Sequence, residues 1–135
     1  MKKTDRVLVD TNVIFDVLHA DPVWSEWSQR QLEIFSDGLL INPLIYSELC
    51  YQANGQEEVE DVINALGLNY EELPRRALFL AAKAFRKYRK QGGGRTSPLA
   101  DFFIGAHAEA VGIPLLTRDA ARYKTYFPSV ALLSP

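Results

Sequence analysis

Arg6-Val7-Leu8-Val9-Asp10-Thr11-Asn12 joins a short apolar run to an acid and two small polar residues. The run is β-branched and too short for a helix, so it reads as a buried strand. Asp10 then falls where the strand ends and a helix begins. Three more acids sit in comparable places. Leu39-Leu40-Ile41 leads through Asn42-Pro43 into a helix that carries Glu48. Asp101 opens the helix Asp101-Phe-Phe-Ile-Gly-Ala-His-Ala108, and Leu115-Leu116-Thr117-Arg118 leads into Asp119. Strands in parallel would bring their carboxyl ends to one edge, where such sheets hold ligands.

The rest of the chain supports that arrangement. Helices are expected over 12–19, 23–36, 44–53, 57–66, 75–90 and 99–111, with a short one near 120–123. Strands are expected over 6–9, 39–41, 68–73, 115–117 and 130–133. Asp21-Pro22, Asp37-Gly38, Asn54-Gly55, Gly67 and Gly112-Ile113-Pro114 supply the breaks. The stripes expected to face inward are Trp24, Trp27, Leu32 and Phe35, then Val59, Val62, Ile63 and Leu66, then Leu78, Ala81, Ala82 and Phe85. Alternating strands and helices imply α/β architecture, a mostly parallel sheet of about five strands with helices on both faces.

At 135 residues, 47% of them apolar, residues 1–135 read as a single domain with an ample core. No apolar stretch approaches the roughly 20 residues that span a bilayer. The run after the first lysines is too short for a signal-peptide core. Cys50 is the only cysteine, so an internal disulfide is excluded and a cytoplasmic setting is expected. The net charge of −2 hides an uneven distribution. No acid occurs between Glu72 and Asp101, and that gap holds Arg75, Arg76, Lys83, Arg86, Lys87, Arg89, Lys90 and Arg95. Such a face is either a solvated helix surface or a phosphate-binding one.

Four carboxylates at one sheet edge would repel unless cations neutralised them. An all-carboxylate set without histidine or cysteine suits a hard cation, Mg²⁺ or Mn²⁺, over zinc. The chemistry expected of it is phosphodiester hydrolysis by an activated water. Simpler roles exist for each acid alone. Asp10 and Asp101 suit helix first turns, and Asp119 suits a turn. Glu48 lies in a partly buried helix, where an acid needs a partner. His107 is about 240° around its helix from Asp101 and reads as a packing or interhelix hydrogen-bond residue. Cys50 reads as a core residue, Trp24 and Trp27 as packing residues, and Gly92-Gly-Gly94 as a helix stop. Two phosphoryl-transfer classes are disfavoured: Asn12 stands where a dehalogenase-like phosphatase wants a second Asp, and Asp10 has no acidic neighbour as in receiver domains.

Taken together, Val7-Leu-Val-Asp-Thr-Asn-Val13, Pro43-Leu-Ile-Tyr-Ser-Glu-Leu49, Leu99-Ala-Asp-Phe-Phe-Ile-Gly-Ala-His-Ala108, Leu115-Leu-Thr-Arg-Asp119 and Tyr126-Phe-Pro-Ser-Val-Ala-Leu-Leu133 resemble a PIN domain, in particular a VapC-type toxin. The resemblance spans essentially the whole chain. It implies a three-layer α/β/α sandwich and a metal-dependent endoribonuclease of a type II toxin–antitoxin pair. It implies Asp10, Glu48, Asp101 and Asp119 as catalytic acids, with Asp10 and Asp101 as direct or water-mediated metal ligands, Glu48 holding metal-bound water and helping to deprotonate the attacking one, and Asp119 completing the site or helping to hold a second metal. Thr11, Asn12 and Thr117 would support the acids, and one or two Mg²⁺ or Mn²⁺ ions would serve. Arg86, Lys87, Lys90 and Arg95 are candidates to grip RNA. A cognate antitoxin and a homodimer are the implied partners, with no membrane. Many relatives carry a further acid soon after the fourth, but Ala120–Thr125 has none, which weakens a second metal site. The alternative is a non-catalytic PIN-like module that binds RNA or protein.

Overall fold

The computed structural model describes residues 5–94 and 99–135. Among them the order is β1 (Val7–Val9), α1 (Thr11–Leu18), α2 (Ser25–Ile34), β2 (Leu39–Ile41), α3 (Pro43–Gln52) and α4 (Gln56–Leu66). There follow β3 (Asn69–Tyr70), α5 (Arg75–Lys90), α6 (Leu99–Val111), β4 (Leu115–Leu116), α7 (Ala121–Tyr126) and β5 (Leu132–Leu133). The strands form one sheet in the order β3-β2-β1-β4-β5, and every pairing is parallel. Residues of β1, β2 and β4 are almost fully buried, as continuous apolar strands covered on both faces should be.

The chain steps from β1 to β3 in one direction, then crosses back to β4 and on to β5. Right-handed crossovers in opposite directions lie on opposite faces, which gives three layers. The reversal falls between β1 and β4. Their carboxyl ends flank the crevice that such a switch leaves open.

Strands are shorter than their apolar runs. Arg6 faces outward to pair with Glu71 at 2.7 Å, and β5 starts at Leu132, not Val130. The second helix begins at Ser25 because Asp21 Oδ1 first accepts from the Val23 and Trp24 amides, which holds a turn there. The inner stripe of α5 is also different. Leu78 and Ala82 are exposed, whereas Ala77, Ala81 and Ala84 are buried. Small residues on that face let α5 lie close along α6.

Two contacts fix the helices around the crevice. Asn42 caps α3, its Oδ1 accepting from the Leu44 and Ile45 amides at 3.0 Å each. Its Nδ2 donates to His107 Nδ1 at 3.1 Å, tying α3 to α6. Burial holds the His107 pKa down, so the imidazole stays neutral and able to accept. Second, the Phe127 ring lies where a Cβ on Gly105 would sit, at 2.4 Å. Only glycine lets α7 and the residue after it close on α6 there.

Candidate active site

Asp10 ends β1 and occupies the N-cap of α1, so the simple capping role and the site position coincide. Its side chain is buried, 5% exposed. Oδ1 accepts from the Thr11 amide at 2.8 Å. Oδ2 accepts from the Thr117 hydroxyl at 2.8 Å and the Tyr123 hydroxyl at 3.0 Å. Burial, then the charge of Asp101, push the Asp10 pKa up to about 6, against the pull of these three bonds. Three donors do not offset the missing water and the neighbouring carboxylate, and no cation among the described residues opposes the rise.

Asp101 lies in the first turn of α6, where the helix favours an anion. Its Oδ1 is 3.3 Å from the Tyr123 hydroxyl and its Oδ2 accepts from Arg122 Nη1 at 3.0 Å. Tyr123 therefore sits between two carboxylates with one proton to give. Burial first, then the two acid charges, push its pKa up, which keeps the hydroxyl protonated.

Glu48, half-buried on α3, accepts from the Thr11 hydroxyl. Burial pushes its pKa up, the Thr11 bond opposes that, and the Asp101 charge adds to it. Asp119 is exposed, and its amide donates to Thr117 Oγ1 at 3.1 Å. Thr117 thus links Asp119 to Asp10. Asn12 Oδ1 accepts from the Arg118 amide at 3.2 Å, and its Nδ2 lies 3.5 Å from both Asp10 and Thr117.

Asp10, Glu48, Asp101 and Asp119 line one pocket of about 530 Å³, together with Thr11, Asn12 and Tyr123. Phe15 and Tyr51 form part of its wall. Among the described residues no three of His, Cys, Asp and Glu close on one point as metal ligands. The donors are all oxygens around an open pocket, and the Asp101 charge that bears on Asp10 calls for a cation. That fits Mg²⁺ or Mn²⁺, which take one or two carboxylates directly and reach others through retained water. It does not fit a closed zinc site.

The basic positions lie elsewhere. Lys83, Arg86, Lys87 and Lys90 line a shallow depression on α5 with Phe79 and Gln91. This surface reaches the site helix through Tyr126 of α7. Lys87 Nζ is 5.9 Å from the Tyr126 ring centroid, and the Tyr126 hydroxyl donates to Gln91 at 3.1 Å. Arg95 lies outside the described residues.

Sequence reasoning missed Tyr123, Arg122 and the ion pair between buried Asp16 and part-exposed Arg118. Asp16, 2% exposed, accepts from Ser28 at 2.7 Å and from Arg118 Nε at 2.8 Å, and Arg118 lies 5.7 Å from the Trp24 ring. Asp16 faces inward from α1, an unpaired acid among apolar neighbours in the sequence. Tyr123 and Arg122 follow Asp119 at four and three residues in a helix too short to show a period.

The PIN-domain profile matches residues 7–128, a span that holds all four pocket acids. The chain belongs to the PIN-domain family. Solved structures share its PIN fold at low identity. VapBC2 from Rickettsia felis, solved bound to a promoter DNA fragment, is 16% identical with a TM-score of 0.72, covering 95% of this chain and 97% of that one. DNA-bound VapBC from Salmonella typhimurium is 17% identical with a TM-score of 0.72, covering 96% and 97%. A toxin–antitoxin complex from Klebsiella pneumoniae is 19% identical with a TM-score of 0.69, covering 93% and 95%. No curated protein sequence matches the chain. No helix among the described residues is long and apolar enough to cross a membrane.

Proposed function

We propose that this PIN domain is a metal-dependent endoribonuclease and the toxin of a toxin–antitoxin pair, acting in the cytoplasm. The observation that carries the reading is the meeting of four acids in one pocket at the switch point of a PIN sheet. The fold shared with toxin–antitoxin complexes supports the biological role and an antitoxin as partner. A homodimer is proposed with it.

Asp10 and Asp101 would hold the Mg²⁺ or Mn²⁺ ion, with Asp119 at its open side. When bound, the ion would acidify a water and neutralise charge building on the scissile phosphate. Tyr123 and Thr117 fix Asp10 in one orientation by donating to the same oxygen. Glu48, held by Thr11 and raised in pKa, is placed to take a proton from a water in the pocket. Arg86, Lys87 and Lys90 would draw the RNA backbone onto α5, and the Tyr126 contact leads from there toward the site.

The deciding experiment expresses wild type and Asp101→Asn in a bacterial host at matched soluble levels and maps new RNA 5′-phosphate ends. Discrete ends confined to wild type establish the nuclease and name its substrate. Equal end maps with both proteins folded favour the non-catalytic PIN-like module instead.

A further inference from the structure

We infer that Arg122 is a resident cation of the acid pocket, so that the site takes a single divalent ion and the guanidinium does the work of a second. The inference rests on the nuclease reading above. Four carboxylates face the pocket, and one divalent ion would leave the set with about two uncompensated negative charges. Among the described residues no three of His, Cys, Asp and Glu close on a point that would hold a further ion. From Ala120 to Pro135 the chain has no acid at all. What it has in that stretch is Arg122, whose Nη1 donates to Asp101 Oδ2 at 3.0 Å.

The placement of the guanidinium decides between two roles. A side chain lying among the acids would plug the site and have to leave before an ion entered. Arg122 is absent from the pocket lining, although Asp101 and Tyr123 are part of it. It reaches Asp101 from the flank, while the Tyr123 hydroxyl holds the other oxygen of the same carboxylate. The pocket therefore stays open to an ion while Asp101 is already partly neutralised. Among the described residues the partners of Asp10 are neutral donors: the Thr11 amide, the Thr117 and Tyr123 hydroxyls and the Asn12 amide. A divalent ion held by Asp10 and Asp101 would supply the positive charge that Asp10 lacks, while Arg122 serves Asp101 from the flank. Arginine suits this role because it stays charged at any working pH.

Arg122 is thus a positioning residue, and its test reads metal, not cleavage. Purified wild type, Arg122→Gln and Arg122→Lys are titrated with Mn²⁺ alone, with free Mn²⁺ followed by electron paramagnetic resonance. Wild type and Arg122→Lys are expected to bind one Mn²⁺ per chain. Arg122→Gln is expected to bind the first ion about three- to tenfold more tightly, because a nearby like charge is gone, and to take up a second at higher concentration. The Arg122 side chain is 38% exposed, so thermal melts should show all three folded alike. Two ions on wild type, or the same count and affinity on wild type and Arg122→Gln, overturn the assignment of Arg122 and leave the nuclease reading intact. No Mn²⁺ on wild type removes the metal-dependent reading itself, and this inference with it.

Discussion

The acid pocket and the basic face of α5 are built on opposite principles. In the pocket, three acids are held by side chains remote in sequence: Asp10 by residues 117 and 123, Glu48 by residue 11, Asp101 by residue 122. On α5, Lys83, Arg86, Lys87 and Lys90 are exposed, fall at i, i+3, i+4 and i+7 on one helix, and owe their grouping to the helix period alone. Bond-breaking chemistry needs atoms fixed to fractions of an ångström. Attraction of a polyanion needs only charge density, which tolerates mobile side chains. The pocket should therefore fail abruptly when one residue changes, and the helix face gradually.

The largest contrast is expected at Asp10. Asp10→Asn should lower RNA cleavage by more than about 100-fold, measured on purified protein with Mn²⁺. The same variant should be more stable than wild type without metal. Because the folded Asp10 pKa, about 6, exceeds the ordinary 3.8, the folded chain holds the proton more tightly than the unfolded one. Wild-type stability from this group is then greatest below about pH 4, falls between there and pH 6, and stays low above. Asparagine removes that penalty, so the gain above pH 6 should reach up to about 3 kcal/mol and vanish near pH 4. Urea midpoints at several pH values decide it. A variant less stable than wild type at pH 7.5 would show that Asp10 serves folding before function.

Arg118→Ala tests whether the support beneath the pocket is as unforgiving as the pocket. It would leave Asp16 buried with Ser28 as its remaining partner, at a cost of about 2–4 kcal/mol. Chemical denaturation measures this, and a change below about 0.5 kcal/mol would mean that solvent reaches Asp16 without help.

The smallest effects belong to α5. Changing Arg86, Lys87 and Lys90 singly to Gln should each weaken RNA binding modestly. Together they should reduce the slope of log affinity against log salt by about 2. Fluorescence anisotropy with a single-stranded oligoribonucleotide and the Asp101→Asn background reads this. An unchanged slope assigns the face to solvent.

Much of this division was legible in the chain. The sheet edge was readable because Val7–Val9, Leu39–Ile41 and Leu115–Leu116 are apolar runs that end in polar residues, and a parallel sheet aligns such ends. The basic face was readable because it depends on one helix, whose bounds, Arg75–Lys90, matched the expectation. What escaped were contacts between distant residues. Nothing local to Asn42 points to His107, sixty-five positions away, and nothing local to Asp16 points to Arg118. The inward stripe of α5 was displaced to alanines, since apolarity alone does not say which neighbour will come close.

The strand order also dictates when the site can exist. Asp10 is made long before Thr117 and Tyr123, and they reach it only after β4 has paired with β1. A nascent chain, or one abandoned before position 115, would carry three of the four pocket acids but not their arrangement. The proposed nuclease would therefore stay harmless on the ribosome that is making it, its site forming only as β4 and β5 close the sheet.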